Sequence, residues 1–220
     1  MDGTLLQDDA FTLDGQPSYA EALRTALQRP RLMDYRFDTV EVIAEERNTI
    51  IPMEQFRKGD MVAFYRLCFP DAQVSTIDMQ YQLLPSLEVV MLFRVAPELM
   101  RTVMEFYPDV KVRCADGELL EHLAVTQRQA EERCNEKGEP TRDLYISVGS
   151  NDMFIALFAQ GNIVYAASQH ATNDDDRLFL LLGIWKALEL DAESDYCHLL
   201  TVSPTLRDSI REYILNVTEE

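Results

Sequence analysis

Apolar and polar residues repeat with different periods along the chain, and each period predicts a different element. Strict alternation of Ile77, Met79, Tyr81 and Leu83 with polar residues predicts a strand with one buried face. The apolar run within residues 87–95 is instead typical of a central strand covered on both faces. Six segments have apolar residues at helical spacing, and each begins with a proline or a capping residue. These segments predict six helices that begin near Pro17, Pro52, Pro97, Asp116, Asn173 and Pro204.

Shorter apolar runs between turn signals predict further strands. Tight turn signals separate residues 144–148, 153–159 and 163–167, which predicts a three-stranded meander. The remaining strands are expected at residues 37–43, 49–51, 110–112 and 198–202, and residues 3–13 are expected to form a short strand or a hairpin. The helix after Asn173 is apolar nearly all round, so we expect it to lie between two layers. Residues 127–137 are polar on all sides and are expected to project into solvent.

A break in the long polar helix marks the predicted domain boundary. Gly138, Glu139 and Pro140 end the helical pattern, and a new series of strands follows. We therefore expect an N-terminal domain at residues 1–140 and a C-terminal domain at residues 141–220. Each is expected to have its own sheet, and the two are expected to pack around a cleft bridged by residues 116–140.

The composition argues against several classes of function. The 220 residues include 38 acidic and 20 basic ones, and the net charge of −18 repels phosphate backbones and anionic lipid headgroups. We therefore expect no nucleic acid partner. No apolar run reaches the ~20 residues of a membrane-spanning helix, so we expect no membrane insertion and a cytoplasmic location. The four cysteines are scattered singly, which is typical of reduced thiols, at Cys68, Cys114, Cys134 and Cys197.

The order of elements in the C-terminal half, a meander followed by helix, strand and helix, resembles the ribonuclease-H-like unit that occurs twice in actin-like ATPases. Residues 87–99, with the helix and strand that follow them, resemble the join between halves in PilM-type pilus-assembly proteins. Through sequences such as TIIP at residues 49–52 and LYISV at residues 144–148, the chain is similar to an uncharacterised Bacteroidetes family with an actin-like fold. The resemblance implies an α/β fold of two ribonuclease-H-like halves, with mixed sheets flanked by helices.

The same resemblance implies that the first half is incomplete. Each unit of this fold begins with three meandering strands before its first helix. The C-terminal half has all three, whereas the N-terminal half has only residues 3–13 before the helix at Pro17. We therefore expect an open sheet edge in the first half, which could pair with a second copy or with a partner strand.

The sequence departs from the nucleotide-binding pattern of the fold. In active relatives the first strand of each half ends in an aspartate, one further residue and a glycine, which hold magnesium and phosphate. Here a serine stands in place of the aspartate, in the run Ser147, Val148, Gly149, Ser150 and Asn151. After the later strand, Pro204 stands where such proteins have glycines against the adenosine. Phosphoryl transfer would therefore lack the positioned charge that provides most of its catalysis.

The leading hypothesis is a non-catalytic protein of actin-like fold, without a cofactor, that serves as an interaction or assembly module for a protein partner or for itself. The alternative is a nucleotide-binding protein that holds ATP with magnesium through an atypical phosphate loop. Its binding residues would then be Ser147, Gly149, Ser150 and Asn151. A third reading, an enzyme acting on a small molecule in the cleft, has no residue set to support it.

Other polar clusters have simpler explanations. The three acids at residues 174–176 open a helix, where they favour the helix dipole, and their spacing does not suit a cation site. Cys197 and His198 are neighbours on a strand and point to opposite faces, so they cannot act as nucleophile and base. His122 and His170 have no cysteine at zinc-like spacing. We expect no metal site and no catalytic residues.

Overall fold

The structure is a computed structural model that describes residues 18–29, 37–129 and 140–219. In this part of the chain the helices are α1 (Tyr19–Leu27), α2 (Met61–Cys68), α3 (Pro97–Phe106), α4 (Ala115–Gln129), α5 (Asp174–Ala187) and α6 (Pro204–Arg211). The strands are β1 (Glu41–Ala44), β2 (Asn48–Pro52), β3 (Met79–Leu84), β4 (Val89–Arg94), β5 (Lys111–Cys114), β6 (Arg142–Val148), β7 (Asp152–Ala159), β8 (Asn162–His170), β9 (Tyr196–Thr201) and β10 (Asn216–Glu219).

Hydrophobic periodicity predicts most of these elements. All six expected helices are present, with two short 3-10 turns before α2, and the strands expected after residue 37 are confirmed. The strand expected at residues 3–13 lies outside the described residues. Periodicity does not predict β10, because its sequence, Asn-Val-Thr-Glu, is short, polar and without an alternating burial pattern.

The chain forms two compact units. The first comprises Met1–Val42 and Val95–Val112, and the second comprises Ile43–Arg94 and Arg113–Glu220. In the first unit α1 lies against α3, and Arg24 of α1 donates hydrogen bonds to both carboxylate oxygens of Glu105. β1 and β5 pair in a two-stranded sheet. A domain boundary between residues 140 and 141 stays a prediction.

The second unit contains an eight-stranded sheet in the order β10-β9-β6-β7-β8-β2-β4-β3. β6, β7 and β8 form an antiparallel meander, and β9 and β10 extend it in parallel with β6. A three-stranded meander followed by two parallel strands, with α5 and α6 as the connections, is the ribonuclease-H-like arrangement. The expectation for the C-terminal half is therefore confirmed.

The expectation of two separate sheets is wrong. β4 and β6 belong to the same sheet, because β2 pairs with β4 on one side and with β8 on the other. The link between β2 and β8 is a single residue pair, Thr49 with Ala167. A single residue pair produces no pattern of apolar and polar residues that could be read in the sequence. The two groups of strands that it joins, β2 to β4 and β6 to β10, each have a strong hydrophobic pattern of their own.

Helices cover both faces of this sheet. Residues that pair directly across strands share a face, so Ile155, Ala167, Thr49 and Leu92 lie on the same side. α2, α5 and α6 pack on that side, in two clusters of buried apolar residues that contain Leu92 and Ile155 respectively. α4 covers the opposite side of β6. The sheet is thus sandwiched between helices, as expected for an α/β fold.

Three local expectations are wrong. α5 is not buried all round, because Phe179 is 78% exposed and, within the described residues, no second layer covers that side. Gln127 does not project into solvent: it is buried and donates to the Tyr145 hydroxyl at 2.6 Å. Asp116 is not the N-cap of α4, which begins one residue earlier at Ala115, so the Asp116 carboxylate is free for a tertiary contact.

Candidate functional site

A cavity of about 540 Å³ lies beside the carboxyl end of β6, between the sheet and the first turn of α4. The carboxyl ends of neighbouring parallel strands, here β6 and β9, are where open α/β sheets usually bind ligands. Residues from both sequence halves line the cavity: Glu45, Glu46, Ala115, Asp116, Leu119, Ser147, Val148, Gly149, Ser150, Asn151, Asp152, Phe154, Ser168 and Thr201. The second compact unit contains all of them.

The four residues predicted to hold a nucleotide, Ser147, Gly149, Ser150 and Asn151, all line this cavity. Ser147 lies near the end of β6, and Gly149, Ser150 and Asn151 form the turn to β7. Gly149 closes this turn by donating its N–H to Asp152 O at 2.8 Å. A Cβ on Gly149 would meet only Asp152 O, at 3.4 Å, and the residue does not have a positive φ. The turn therefore does not require glycine, and the backbone there is open to close approach.

Arg177 of α5 donates hydrogen bonds to the backbone of this turn. Its Nη2 donates to Gly149 O at 3.1 Å and to Ser150 O at 3.3 Å, while Nη1 donates to Asp174 at 2.9 Å. Ser203, the N-cap of α6, donates its hydroxyl to the other oxygen of Asp174 at 2.5 Å. These contacts connect the first acid of the 174–176 run to the loops after β6 and β9. The presence of an acid at position 174 is therefore explained by these structural contacts.

Asp116 is the most perturbed carboxyl group in the cavity. Asn48, which is fully buried, donates its Nδ2 to Asp116 Oδ2 at 2.5 Å. The pKa of Asp116 is raised from 3.8 to about 6, chiefly by burial and also by the charges of Glu45 and Asp152. The hydrogen bonds from Asn48 and Ser168 act in the opposite direction and lower the pKa.

The cavity lining is acidic. Glu45, Glu46, Asp116 and Asp152 contribute four carboxyl groups, and the lining residues that the structure describes include no lysine, arginine or histidine. The pKa of Glu46 is also raised, mainly by burial, although Arg94 and Arg47 lower it. Sequence reasoning missed these four acids, because they come from three separate segments. The available signal was their position at strand ends: Glu45 and Glu46 lie between β1 and β2, Asp116 follows β5, and Asp152 follows the β6–β7 turn.

A second polar cluster, centred on His198, lies on the α4 side of the sheet. The sequence analysis did not predict this cluster. His198 is buried, with Nε2 at 2.7 Å from Asp143 and Nδ1 at 2.7 Å from the Thr218 hydroxyl. The Tyr145 ring stacks on the imidazole at 4.4 Å. Cys197 belongs to the core cluster on the other face, and burial raises the pKa of its thiol to about 12. The prediction that Cys197 and His198 cannot act together is therefore confirmed.

The other two histidines are exposed. His122 lies on the outside of α4, and His170 has its Nδ1 at 3.4 Å from Asp152. Within the ranges 18–29, 37–129 and 140–219, no group of three His, Cys, Asp or Glu residues is placed to hold a metal ion. No helix in the same ranges is long and apolar enough to cross a membrane.

Comparison with known proteins gives the family. A family model described as a protein of unknown function (DUF3822) matches residues 3–217. The chain belongs to this family. It matches none of the curated proteins. Its fold is similar to the crystal structure of a Bacteroides thetaiotaomicron protein with an actin-like ATPase fold and unknown function, with 24% identity and a TM-score of 0.78, over 92% of this chain and 76% of that chain.

The fold therefore has the actin-like ATPase architecture, which was expected from the sequence. The cofactor that such a fold implies, a nucleotide with magnesium, fits the cavity poorly. Ser147 cannot act as a charged metal ligand, and among the described lining residues no cationic side chain is present to meet the phosphates. Asp116 and Asp152 are of the right chemical type for a hard cation, but within the described residues they are not part of a metal-binding group.

Proposed function

We propose that this protein is a non-catalytic member of the actin-like fold that serves as an interaction or assembly module, with a protein or a second copy of itself as the partner. The acidic lining of the cavity at the β6–β7 turn supports this proposal most directly. In the described part of the chain, this lining has four carboxyl groups and no cation, so it provides neither charge complementarity for a triphosphate nor the positioned positive charge of phosphoryl transfer.

The electrostatics of the cavity strengthen the argument. Burial already raises the pKa of Asp116 and of Glu46, which means that negative charge at these positions is unfavourable before any ligand enters. A nucleotide would add several further negative charges at close range and in a partly desolvated site. Without a compensating cation, this repulsion disfavours binding.

The alternative function is nucleotide binding through an atypical loop, and one observation favours it. Ser147, Gly149, Ser150 and Asn151 all line the same cavity, and the space beside Gly149 allows a ligand to approach the backbone. A bound divalent cation would be needed to offset the carboxylates.

Thermal-shift titration with ATP and ADP, each with and without magnesium, separates the two functions. A nucleotide at one hundred times its dissociation constant stabilises a protein by ~2.7 kcal/mol, which raises Tm by roughly 5–10 °C at this chain length. We expect no concentration-dependent rise. A saturable rise that Gly149→Ala reduces and Gly59→Ala retains would establish nucleotide binding instead. Gly59 is a matched control, because a Cβ there meets nothing within 4 Å.

We further propose a cytoplasmic location for this role. Cys68, Cys114 and Cys197 are free thiols in the structure, and two of them are buried. Unpaired cysteines are typical of proteins that stay in a reducing compartment. Fractionation of the native cells with antibody detection would test the location independently of any binding partner.

A further inference from the structure

The acidic cavity beside the β6–β7 turn contains a negative charge that its surroundings do not offset. Burial raises the pKa of Asp116 to about 6, and the charges of Glu45 and Asp152 raise it too. The groups that lower this pKa most are the neutral side chains of Asn48 and Ser168. A partly buried charge is normally paired with an opposite one, so a site of this kind suits a cationic ligand.

The arginines around the cavity do not supply the missing charge. Three of them form ion pairs with acids outside the lining, namely Arg47 with Asp71, Arg113 with Glu118, and Arg177 with Asp174. Burial raises the pKa of Glu46, whereas Arg94 and Arg47 lower it. The charges that act most strongly on Asp116, by contrast, are both negative. Glu46 is therefore partly compensated and Asp116 is not.

The first turn of α4 does not supply positive charge either. The N-terminus of a helix usually offers free backbone N–H groups to an anion. Here the N–H groups of Asp116 and Gly117 donate to the sulfur of Cys114, which is buried. These two donors are therefore not available to an anion in the cavity.

A second observation, independent of the acids, points to a ligand that donates hydrogen bonds. The side chain of Asn48 is fully buried and directed at the cavity wall, where its Nδ2 donates to Asp116 Oδ2 at 2.5 Å and to Glu46 O at 3.1 Å. Its Oδ1 accepts no hydrogen bond from any residue that the structure describes. A buried acceptor without a partner is unfavourable, and a donor bound beside Asp116 would satisfy it.

The rest of the lining favours an organic cation over a metal ion. Ala115, Leu119, Val148 and Phe154 make part of the cavity wall apolar. The methylene stem of a long cationic side chain packs on such a surface while its charged end reaches the carboxylates. A metal ion would use the carboxylates alone, and no three acids in the described ranges are placed to hold one.

We propose that this cavity binds a guanidinium group, in the form of an arginine side chain presented by a protein partner. A guanidinium has five N–H donors and no acceptor, which matches a wall of carboxylates and an unpaired amide oxygen. It is also more weakly hydrated than an ammonium group, so it loses less on entering a partly buried site. That the arginine belongs to a protein partner rests on the function proposed above.

The charge of the whole chain supports a basic partner segment. A net charge of −18 attracts cationic segments and speeds their encounter with the chain. Glu45 and Glu46 are exposed, whereas Asp116 and Asp152 are partly buried, so an approaching cation meets the exposed pair first. The cavity volume of about 540 Å³ is ample for one arginine side chain.

NMR titration of the isotope-labelled chain with a capped arginine, N-acetyl-argininamide, tests this proposal. We expect saturable shifts at the amides of residues 115–116 and 147–152. N-acetyl-citrullinamide has nearly the same shape without the charge and should bind at least ~10-fold more weakly. Asp116→Asn should raise the dissociation constant for the capped arginine at least ~10-fold. Asp109→Asn, which removes an exposed carboxylate far along the chain, should change it by less than about twofold.

Two further probes separate the chemistry and the source of the cation. A capped lysine should bind more weakly than the capped arginine, because its ammonium group is more strongly hydrated. Agmatine represents a free guanidinium compound and should bind no more tightly than the capped arginine. Tighter binding of the capped lysine would overturn the preference for guanidinium, and tighter binding of agmatine would overturn the assignment to a protein side chain.

Three other results would overturn the proposal as a whole. These are the absence of shifts with the capped arginine, equal binding of the citrulline analogue, and shifts at the same amides with magnesium chloride alone. Addition of ATP with magnesium to the same sample tests the proposed function separately. Saturable shifts with ATP would contradict that function whether or not arginine binds, whereas a failure of arginine to bind would leave it standing.

Discussion

Replacing Asp116 by asparagine tests whether the cavity keeps a negative charge that the fold does not favour. The carboxyl group has a pKa of about 6 in the folded chain, against 3.8 for an ordinary aspartate. A difference of about two pKa units corresponds to ~3 kcal/mol between the charged and the neutral form. Asparagine is close in size, and its carbonyl can still accept the hydrogen bond from Asn48.

The sign of the pH dependence follows from the raised pKa. Between about pH 4 and pH 6 the folded chain binds a proton at Asp116 that the unfolded chain has released, so stability falls as the pH rises through this range. The favourable contribution is fully present below pH 4 and is lost above pH 6. Asp116→Asn removes this dependence, and we therefore expect the variant to be more stable than the wild type at pH 8, by about 1–3 kcal/mol.

Urea unfolding at a series of pH values from 4 to 8 measures this difference. Other carboxyl groups titrate in the same range, so the quantity of interest is the free energy of unfolding of the variant minus that of the wild type at each pH. We expect this difference to grow as the pH rises from 4 to 6 and then to level off. Asp109→Asn, which removes an exposed carboxylate in a turn, is the matched control and should give a flat difference.

Two outcomes would refute the reasoning. Parallel stability profiles for Asp116→Asn and the wild type would mean that Asp116 does not titrate near pH 6. A variant that is less stable than the wild type at pH 8 would mean that the carboxylate makes contacts more favourable than its burial is unfavourable. The expected gain in stability would instead support a functional reason for an acid at this position, since stability alone favours its removal.

Further predictions concern polar contacts that stabilise the second compact unit. Arg142→Ala should destabilise the fold by about 3 kcal/mol, because Arg142 pairs at 2.8 Å with Asp195, whose side chain is buried, and its loss leaves that carboxylate without its cation. Denaturant unfolding measures this, and a loss below ~1 kcal/mol would contradict it. Asn173→Ala should cost about 1 kcal/mol, because the Asn173 side chain accepts the N–H of Asp176 at 2.9 Å as the N-cap of α5. Asn173→Ser, which keeps a capping oxygen, should recover most of this loss, and equal stability of the two variants would exclude the capping role.

Several elements could be predicted from the sequence because their signals are local. α3 begins at Pro97 and α6 at Pro204, since a proline fits the first helical turn and leaves no N–H unpaired. The meander of β6, β7 and β8 follows from apolar runs separated by turn residues. These patterns depend on a few neighbouring residues, so the sequence alone contains them. Ser147 of β6 and the three residues of the turn that follows could be grouped together for the same reason.

Tertiary structure decided how these elements combine. The acidic cavity brings Glu45, Asp116 and Asp152 together from distant segments, and the raised pKa of Asp116 arises only from burial and from those neighbours. The single pair of Thr49 with Ala167 joins two parts into one sheet and leaves β3 at its edge. Local periodicity reports which face of a strand is buried, but strand neighbours and carboxyl clusters depend on contacts between residues far apart in sequence.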